Sequence, residues 1–134
     1  MKKLFLVCIA FIAITNVSKA QPKSSTVVTN ISSERFKAII SNDNNGVILD
    51  LRTSEEITNK GYIKGAVQLD FLSKDAEKQI DKLDKNKTYY IYCAAGGRSG
   101  DAAEYMQNHD FKRVYNLQKG FSEWIQKGFP IEKK

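Results

Sequence analysis

The chain has 134 residues, with 21 Lys plus Arg against 15 Asp plus Glu, a formal net charge of +6. Three of the lysines (Lys2, Lys3, Lys19) fall in the first 20 residues, and without them 18 basic residues face 15 acidic ones, a net +3. That balance is too mild to argue for a nucleic-acid partner, and the one His and one Cys beyond residue 20 cannot build a metal site.

The chain opens on Lys2 and Lys3, an apolar run from Leu4 to Ile14, and the small residues Ser18 and Ala20 around Lys19. This is the pattern of a cleavable signal peptide over residues 1–20, which predicts a periplasmic or secreted protein. The apolar run is about half the roughly 20 residues of a membrane span, so no stable membrane insertion is expected after cleavage. Residues 21–26 read as a short polar lead-in, and residues 27–134 as one domain with one core. Loss of Cys8 with the leader leaves Cys93 as the sole cysteine, so no internal disulfide can form and a free reactive thiol is expected.

Beyond the lead-in, short apolar runs alternate with amphipathic stretches. The runs are Val27-Val28, Val47 to Leu51, Ala66 to Leu69, Thr88 to Tyr92 and Val114 to Leu117. Helices are predicted near Ser33 to Ser41, after Thr53, and near Lys74 to Leu83, Ser99 to Asn108 and Phe121 to Lys127. Ser32 suits the first N-cap, and Thr53 with Glu56 three residues on forms a capping-box pattern. The alternation predicts an α/β fold in which a parallel sheet carries helices on both faces. Scattered lysines from Lys74 to Lys87, interleaved with Asp75, Glu77, Asp81 and Asp84, read as a solvated face.

In such a sheet ligands gather at the carboxyl ends of the strands, where Cys93 stands after the Thr88 to Tyr92 run. The loop Cys93-Ala94-Ala95-Gly96-Gly97-Arg98-Ser99-Gly100 then leads into a helix. Loop N–H groups and a helix N-terminus favour a thiolate, Gly96 and Gly97 permit the tight backbone, and Arg98 adds a permanent cation. The plain alternative is a buried cysteine packed as a small hydrophobe. The glycines, the arginine and the neighbouring segments weigh against it. His109, at the far end of the same helix, reads as a surface or capping residue, and Trp124 and the Tyr89, Tyr90, Tyr92 cluster as packing.

Four segments in register carry a resemblance: Val47-Ile48-Leu49-Asp50-Leu51-Arg52-Thr53-Ser54-Glu55-Glu56, then Gly61-Tyr62-Ile63-Lys64-Gly65-Ala66, the Cys93 loop, and Gly120-Phe121-Ser122-Glu123-Trp124 before Gly128-Phe129-Pro130. From about Val27 to Ile131 the chain resembles a single-domain rhodanese, and its secreted form and loop most resemble the small periplasmic rhodaneses of the phage-shock-protein-E type. The resemblance implies a rhodanese-like fold with five parallel strands and a sulfurtransferase of the thiosulfate type. Cys93 would take a sulfane sulfur from a small sulfur-containing anion such as thiosulfate, become a persulfide, and pass the sulfur to cyanide or a thiol. The N–H groups from Ala94, Ala95, Gly96, Gly97, Arg98 and Ser99, with the Ser99 hydroxyl, would hold the anionic sulfur, and neither a cofactor nor a general base is implied.

Asp50 and Arg52 are expected to support the loop, Arg52 by pairing with Glu56 or Glu55 and Asp50 by bracing loop N–H groups. The chain departs from the family pattern at Tyr62, where His is usual, at Lys64, where Pro is common, and at Lys119, which replaces the first of a usual glycine pair. Four residues separate Cys93 from Arg98, one fewer than the related phosphatases and arsenate reductases use to seat a tetrahedral oxyanion, so the loop suits a single sulfur atom. A second function class is a binding module that carries persulfide, or recognises a protein partner that the sequence does not name, without turnover.

Overall fold

Thr88-Tyr89-Tyr90-Ile91-Tyr92 is composed wholly of β-branched and aromatic residues, the types that suit a pleated, packed surface. It forms the central strand, and alternate residues feed two cores: Tyr89 and Ile91 on one face, Tyr90 and Tyr92 on the other. A strand buried on both faces is the mark of a parallel sheet covered by helices. The computed structural model describes residues 25–134. The signal-peptide reading of residues 1–20, and most of the lead-in, lie outside the described residues.

The elements run β1 (Val27–Ile31), α1 (Ser33–Ile40), β2 (Val47–Asp50), α2 (Ser54–Lys60), β3 (Val67–Gln68), α3 (Ala76–Asp81), β4 (Thr88–Tyr92), α4 (Gly97–Asn108), β5 (Arg113–Leu117) and α5 (Gly120–Gln126). The five strands lie in the order β1-β5-β4-β2-β3, every neighbouring pair parallel. One core layer joins Leu49, Ile91 and Val114 of the sheet to Ala76 and Ile80 of α3 and Ala102, Ala103 and Met106 of α4. The other joins Tyr90, Tyr92 and Leu117 to Phe36 of α1 and Phe121 and Trp124 of α5. There Phe36 meets Tyr90, Tyr92 and Trp124 edge-on at centroid separations of 6.0, 6.4 and 6.1 Å, a geometry that aligns ring edges with ring faces.

The helix starts follow their sequence signals. The Ser32 hydroxyl accepts the Arg35 N–H, and Thr53 with Glu56 completes both halves of the capping box. Two elements differ from expectation. α3 is shorter than Lys74 to Leu83: it runs from Ala76, after the Asp75 N-cap, to Asp81, before the Lys82 C-cap. β3 is reduced to two residues, because Ala66 N–H turns back to the Ile63 carbonyl before pairing begins.

The end of the chain closes over the carboxyl side of the sheet. Tyr62 and Glu132 form an antiparallel pair, each N–H donating to the other's carbonyl at 2.8 Å. Gly61 permits that contact, since a Cβ there would lie 2.5 Å from the Glu132 carbonyl oxygen, at a φ of 81°. Tyr62 thus acts here through its backbone.

Candidate functional site

Cys93 directly follows β4 and is 1 % exposed. Its Sγ accepts the Gly96 N–H at 3.1 Å and the Ser99 N–H at 3.4 Å, and lies 3.5 Å from the Ser99 hydroxyl oxygen. Burial pushes the thiol up, but the hydroxyl and N–H of Ser99 and the N–H groups of Gly96 and Ala95 outweigh it, and Cys93 titrates below the ordinary cysteine value. The donors are available because the peptide carbonyls around them are turned away and held. Phe121 N–H donates to the Cys93 carbonyl at 2.8 Å and Ser122 N–H to the Ala94 carbonyl at 2.9 Å. The first turn of α5, whose N–H groups have no partner inside the helix, thereby fixes the loop.

Two glycines make this contact close enough. Gly96 caps α4 with φ 102°, and a Cβ on it would sit 2.1 Å from the Gln118 carbonyl oxygen. Gly120, with φ 69°, lies against the loop so closely that a Cβ would meet the Ala94 carbonyl oxygen at 2.6 Å and Ala95 N at 2.7 Å. Position 119 needs no such freedom, since Lys119 has φ −101°, is exposed, and reaches Glu123 at 3.6 Å. The family's first glycine is therefore dispensable at this turn and the second is not. α4 begins at Gly97, two residues before the expected Ser99, because the left-handed Gly96 already supplies its cap.

Of the predicted loop donors, the N–H groups of Ala95, Gly96 and Ser99 and the Ser99 hydroxyl act on the Cys93 sulfur, while none from Ala94, Gly97 or Arg98 is seen on it among the described residues, and three of the expected partnerships change. Arg98 is not a free cation: Nη1 and Nη2 grip Glu56 Oε2 and Oε1 at 2.8 and 2.7 Å. The same Glu56 accepts the Thr53 N–H at 3.0 Å as the capping-box acid of α2. With the Arg98 guanidinium foremost, these donors hold the Glu56 carboxyl at about 2. Arg52 pairs with neither Glu56 nor Glu55, because the chain turns at the end of β2 and returns Arg52 onto its own strand. Its Nε and Nη2 meet Asp50 Oδ1 and Oδ2 at 2.9 and 2.6 Å, and Nη2 also donates to the Gly61 carbonyl at 2.8 Å.

Asp50, for its part, braces no N–H of the Cys93 loop; it accepts the Arg52 N–H at 3.1 Å. Its Oδ2 also receives the Tyr92 hydroxyl at 2.6 Å, and that hydroxyl accepts the Ile63 N–H at 3.1 Å. Burial, together with the Asp50 carboxylate, pushes the Tyr92 hydroxyl far above the usual tyrosine range, so it stays a donor. Tyr92, read from sequence as packing alone, is thus also a polar strut between β4 and the loop before β3. The Arg52 guanidinium lies 3.9 Å from the Phe121 ring centroid, which ties this buried pair to the α5 turn that holds the loop. His109 caps α4, its Nδ1 2.7 Å from the Tyr105 carbonyl oxygen, and takes no part in the site.

Two outcomes follow from this geometry. The alkylation rate of Cys93 by iodoacetamide, followed against pH, rises with a midpoint below the roughly 8.5 of a free cysteine, and Ser99→Ala moves it upward; a midpoint unchanged by that substitution would remove the hydroxyl from the cradle. For Glu56, a folded-state value held below its unfolded one gives stability that is present at neutral pH and lost as pH falls through the window from about 4.3 to about 2. Urea midpoints of Glu56→Gln therefore fall below those of the parent at pH 7, with the gap narrowing in that acid window. A gap independent of pH would show that the charge is not what is lost.

Comparisons with known proteins agree with this architecture. Residues 32–127 match the model of the rhodanese-like domain. A sulfurtransferase of Allochromatium vinosum is 30% identical over 105 residues, covering 78% of this chain and 95% of that protein. The candidate sulfur carrier protein YrkF of Bacillus subtilis is 34% identical over 105 residues, and there the match spans only 55% of the relative's length. A rhodanese-related protein from Thermoplasma volcanium shares the fold at TM-score 0.69 and 22% identity, over 79% of this chain and 99% of that one. The chain belongs to the rhodanese-like domain family, and its relatives in that family include sulfurtransferases.

Proposed function

We propose that this protein is a sulfurtransferase that carries a sulfane sulfur on Cys93, and the observation that supports this best is the inward set of donors on Sγ from Gly96 and Ser99. The Cys93 thiolate attacks the outer sulfur of a donor such as thiosulfate. A new S–S bond forms, the donor's own S–S bond breaks, and its electron pair leaves on sulfite. The N–H groups of Ala95, Gly96 and Ser99 and the Ser99 hydroxyl carry the resulting negative charge without reorganising, and no general base is needed. A thiol or cyanide then takes the outer sulfur, and the electron pair of the broken bond returns to Sγ. Asp50 and Arg52 act on this chemistry through the position of the loop.

A second reading, a persulfide carrier that hands its sulfur on without rapid turnover, draws support from the name of the Bacillus subtilis relative. The same loop serves both, and they differ in rate. Export with removal of residues 1–20 remains part of the proposal on the strength of the leader pattern alone.

Intact mass of the protein from Gln21, before and after thiosulfate and again after cyanide, tests the reading. The expected result is a gain of about one sulfur that cyanide removes with release of thiocyanate, absent in a folded Cys93→Ser. A reduced, folded protein that gains no sulfur from thiosulfate or polysulfide would overturn it, and loading without multiple turnovers would favour the carrier.

A further inference from the structure

The turn between α1 and β2 holds a reactive dipeptide that the sulfur chemistry does not use. Of the chain's asparagines only Asn45 is followed by glycine. In such a pair the glycine nitrogen, unshielded by a Cβ, can close on the asparagine side chain one residue back. Asn45 is exposed, and its side-chain amide makes no hydrogen bond among the described residues. Asn42, in the same turn, is tied by Nδ2 to the Ala38 carbonyl at 2.8 Å.

The fold needs this glycine. A Cβ on Gly46 would lie 2.3 Å from Cε2 of Tyr90 and 2.7 Å from Asp43 Oδ2. The Tyr90 ring cannot yield, since it is buried and stacked on Tyr115 at a centroid separation of 5.3 Å. Asp43 restrains the glycine nitrogen instead. Its Oδ1 accepts the N–H groups of Asn45 and Gly46, each at 3.0 Å, and its Oδ2 accepts the Tyr90 hydroxyl at 2.7 Å. With the Tyr90 hydroxyl foremost, these donors hold the Asp43 carboxyl below its ordinary value, so it is a charged acceptor at neutral pH. Turns built on an aspartate are common. Here the last N–H that the aspartate holds belongs to the nucleophile of the reactive pair. Ring closure requires that nitrogen to give up its proton, and a carboxylate beside it disfavours the resulting anion and anchors the N–H in place.

We propose that Asn45-Gly46 is a deamidation site that the Asp43 carboxylate holds shut in the folded protein. In the reaction the Gly46 nitrogen loses its proton to solvent and bonds to Asn45 Cγ. The Cγ–Nδ2 bond breaks, Nδ2 takes up a proton, and ammonia leaves a succinimide behind. Water then adds to one ring carbonyl and breaks its bond to nitrogen. Opening at Cγ leaves aspartate, and opening at the backbone carbonyl leaves isoaspartate, with the chain rerouted through the side chain. Either product adds a carboxylate close to Asp43, and isoaspartate lengthens the backbone just before β2, the strand that ends in Asp50. The proposal is independent of the sulfur-transfer reading.

The test follows Asn45 by peptide mass and isoaspartate content while the protein from Gln21 is held in mildly alkaline buffer, folded or in urea. Two variants are compared with the parent. Asp43→Ala frees the Gly46 N–H, whereas Tyr90→Phe removes the hydroxyl from Asp43 Oδ2 and leaves that N–H held. The folded parent is expected to change at Asn45 far more slowly than the parent in urea. Folded Asp43→Ala is expected to react roughly tenfold faster than the folded parent or more, the worth of a hydrogen bond to a charged group, with Tyr90→Phe within roughly twofold of the parent. A folded parent that deamidates as fast as in urea would overturn the proposal. So would a folded Asp43→Ala no faster than the parent, or a Tyr90→Phe as fast as Asp43→Ala, which would trace the effect to loosening of the turn.

Discussion

The arrangement at Cys93 depends on two hydrogen bonds from the start of α5, Phe121 N–H to the Cys93 carbonyl and Ser122 N–H to the Ala94 carbonyl. A chain leaving a strand cannot aim several N–H groups at one point unless its carbonyls are accommodated elsewhere. Here the orphan donors of one helix accept that role, and the loop N–H groups are released toward the sulfur. The contact is possible only because Gly120 and Gly96 carry no Cβ where the two segments touch. β4 brings the cysteine to the carboxyl edge of the sheet, β5 delivers α5 beside it, and their adjacency in the sheet order makes them meet.

Around that contact, charged groups are used in shared fashion. Glu56 ends the first turn of α2 and at the same time pins Arg98. Asp50 balances Arg52 and receives Tyr92, so β2, the turn after it and β4 hang on one carboxylate. A buried pair of this kind gains little net stability against an apolar replacement, but removing one partner is costly. Its contribution is to fix geometry, since Arg52 stacks on Phe121, the residue that holds the Cys93 carbonyl.

Much of this was legible in the sequence. The β-forming run at Thr88 to Tyr92, the caps at Ser32 and Thr53, and the glycine-bearing loop after Cys93 each encode local backbone preference, and the elements appear where those signals stand. What eluded the sequence is contact across distance. Arg98 and Glu56 are 42 positions apart, as are Tyr92 and Asp50, and no local pattern joins them. The pairing of Arg52 with Asp50, two residues away, was hidden for another reason: it requires the sharp turn after β2, and charge spacing alone favoured the helix-like step to Glu56 or Glu55. A polar strut such as Tyr92 cannot be told from a packing tyrosine until its hydroxyl is seen to have partners.

The most direct test of the claim that α5 sets the state of the thiol is the pH titration of Cys93 in Gly120→Ala, read by the chemical shifts of the Gly96 and Ser99 amides. The added Cβ displaces the Ala94 to Ala95 peptide and turns the loop donors from the sulfur. The expected result is a folded protein whose Cys93 titrates at a higher pH than the parent and whose two amides no longer follow it. A folded variant with an unchanged midpoint and unchanged amide response would contradict the claim.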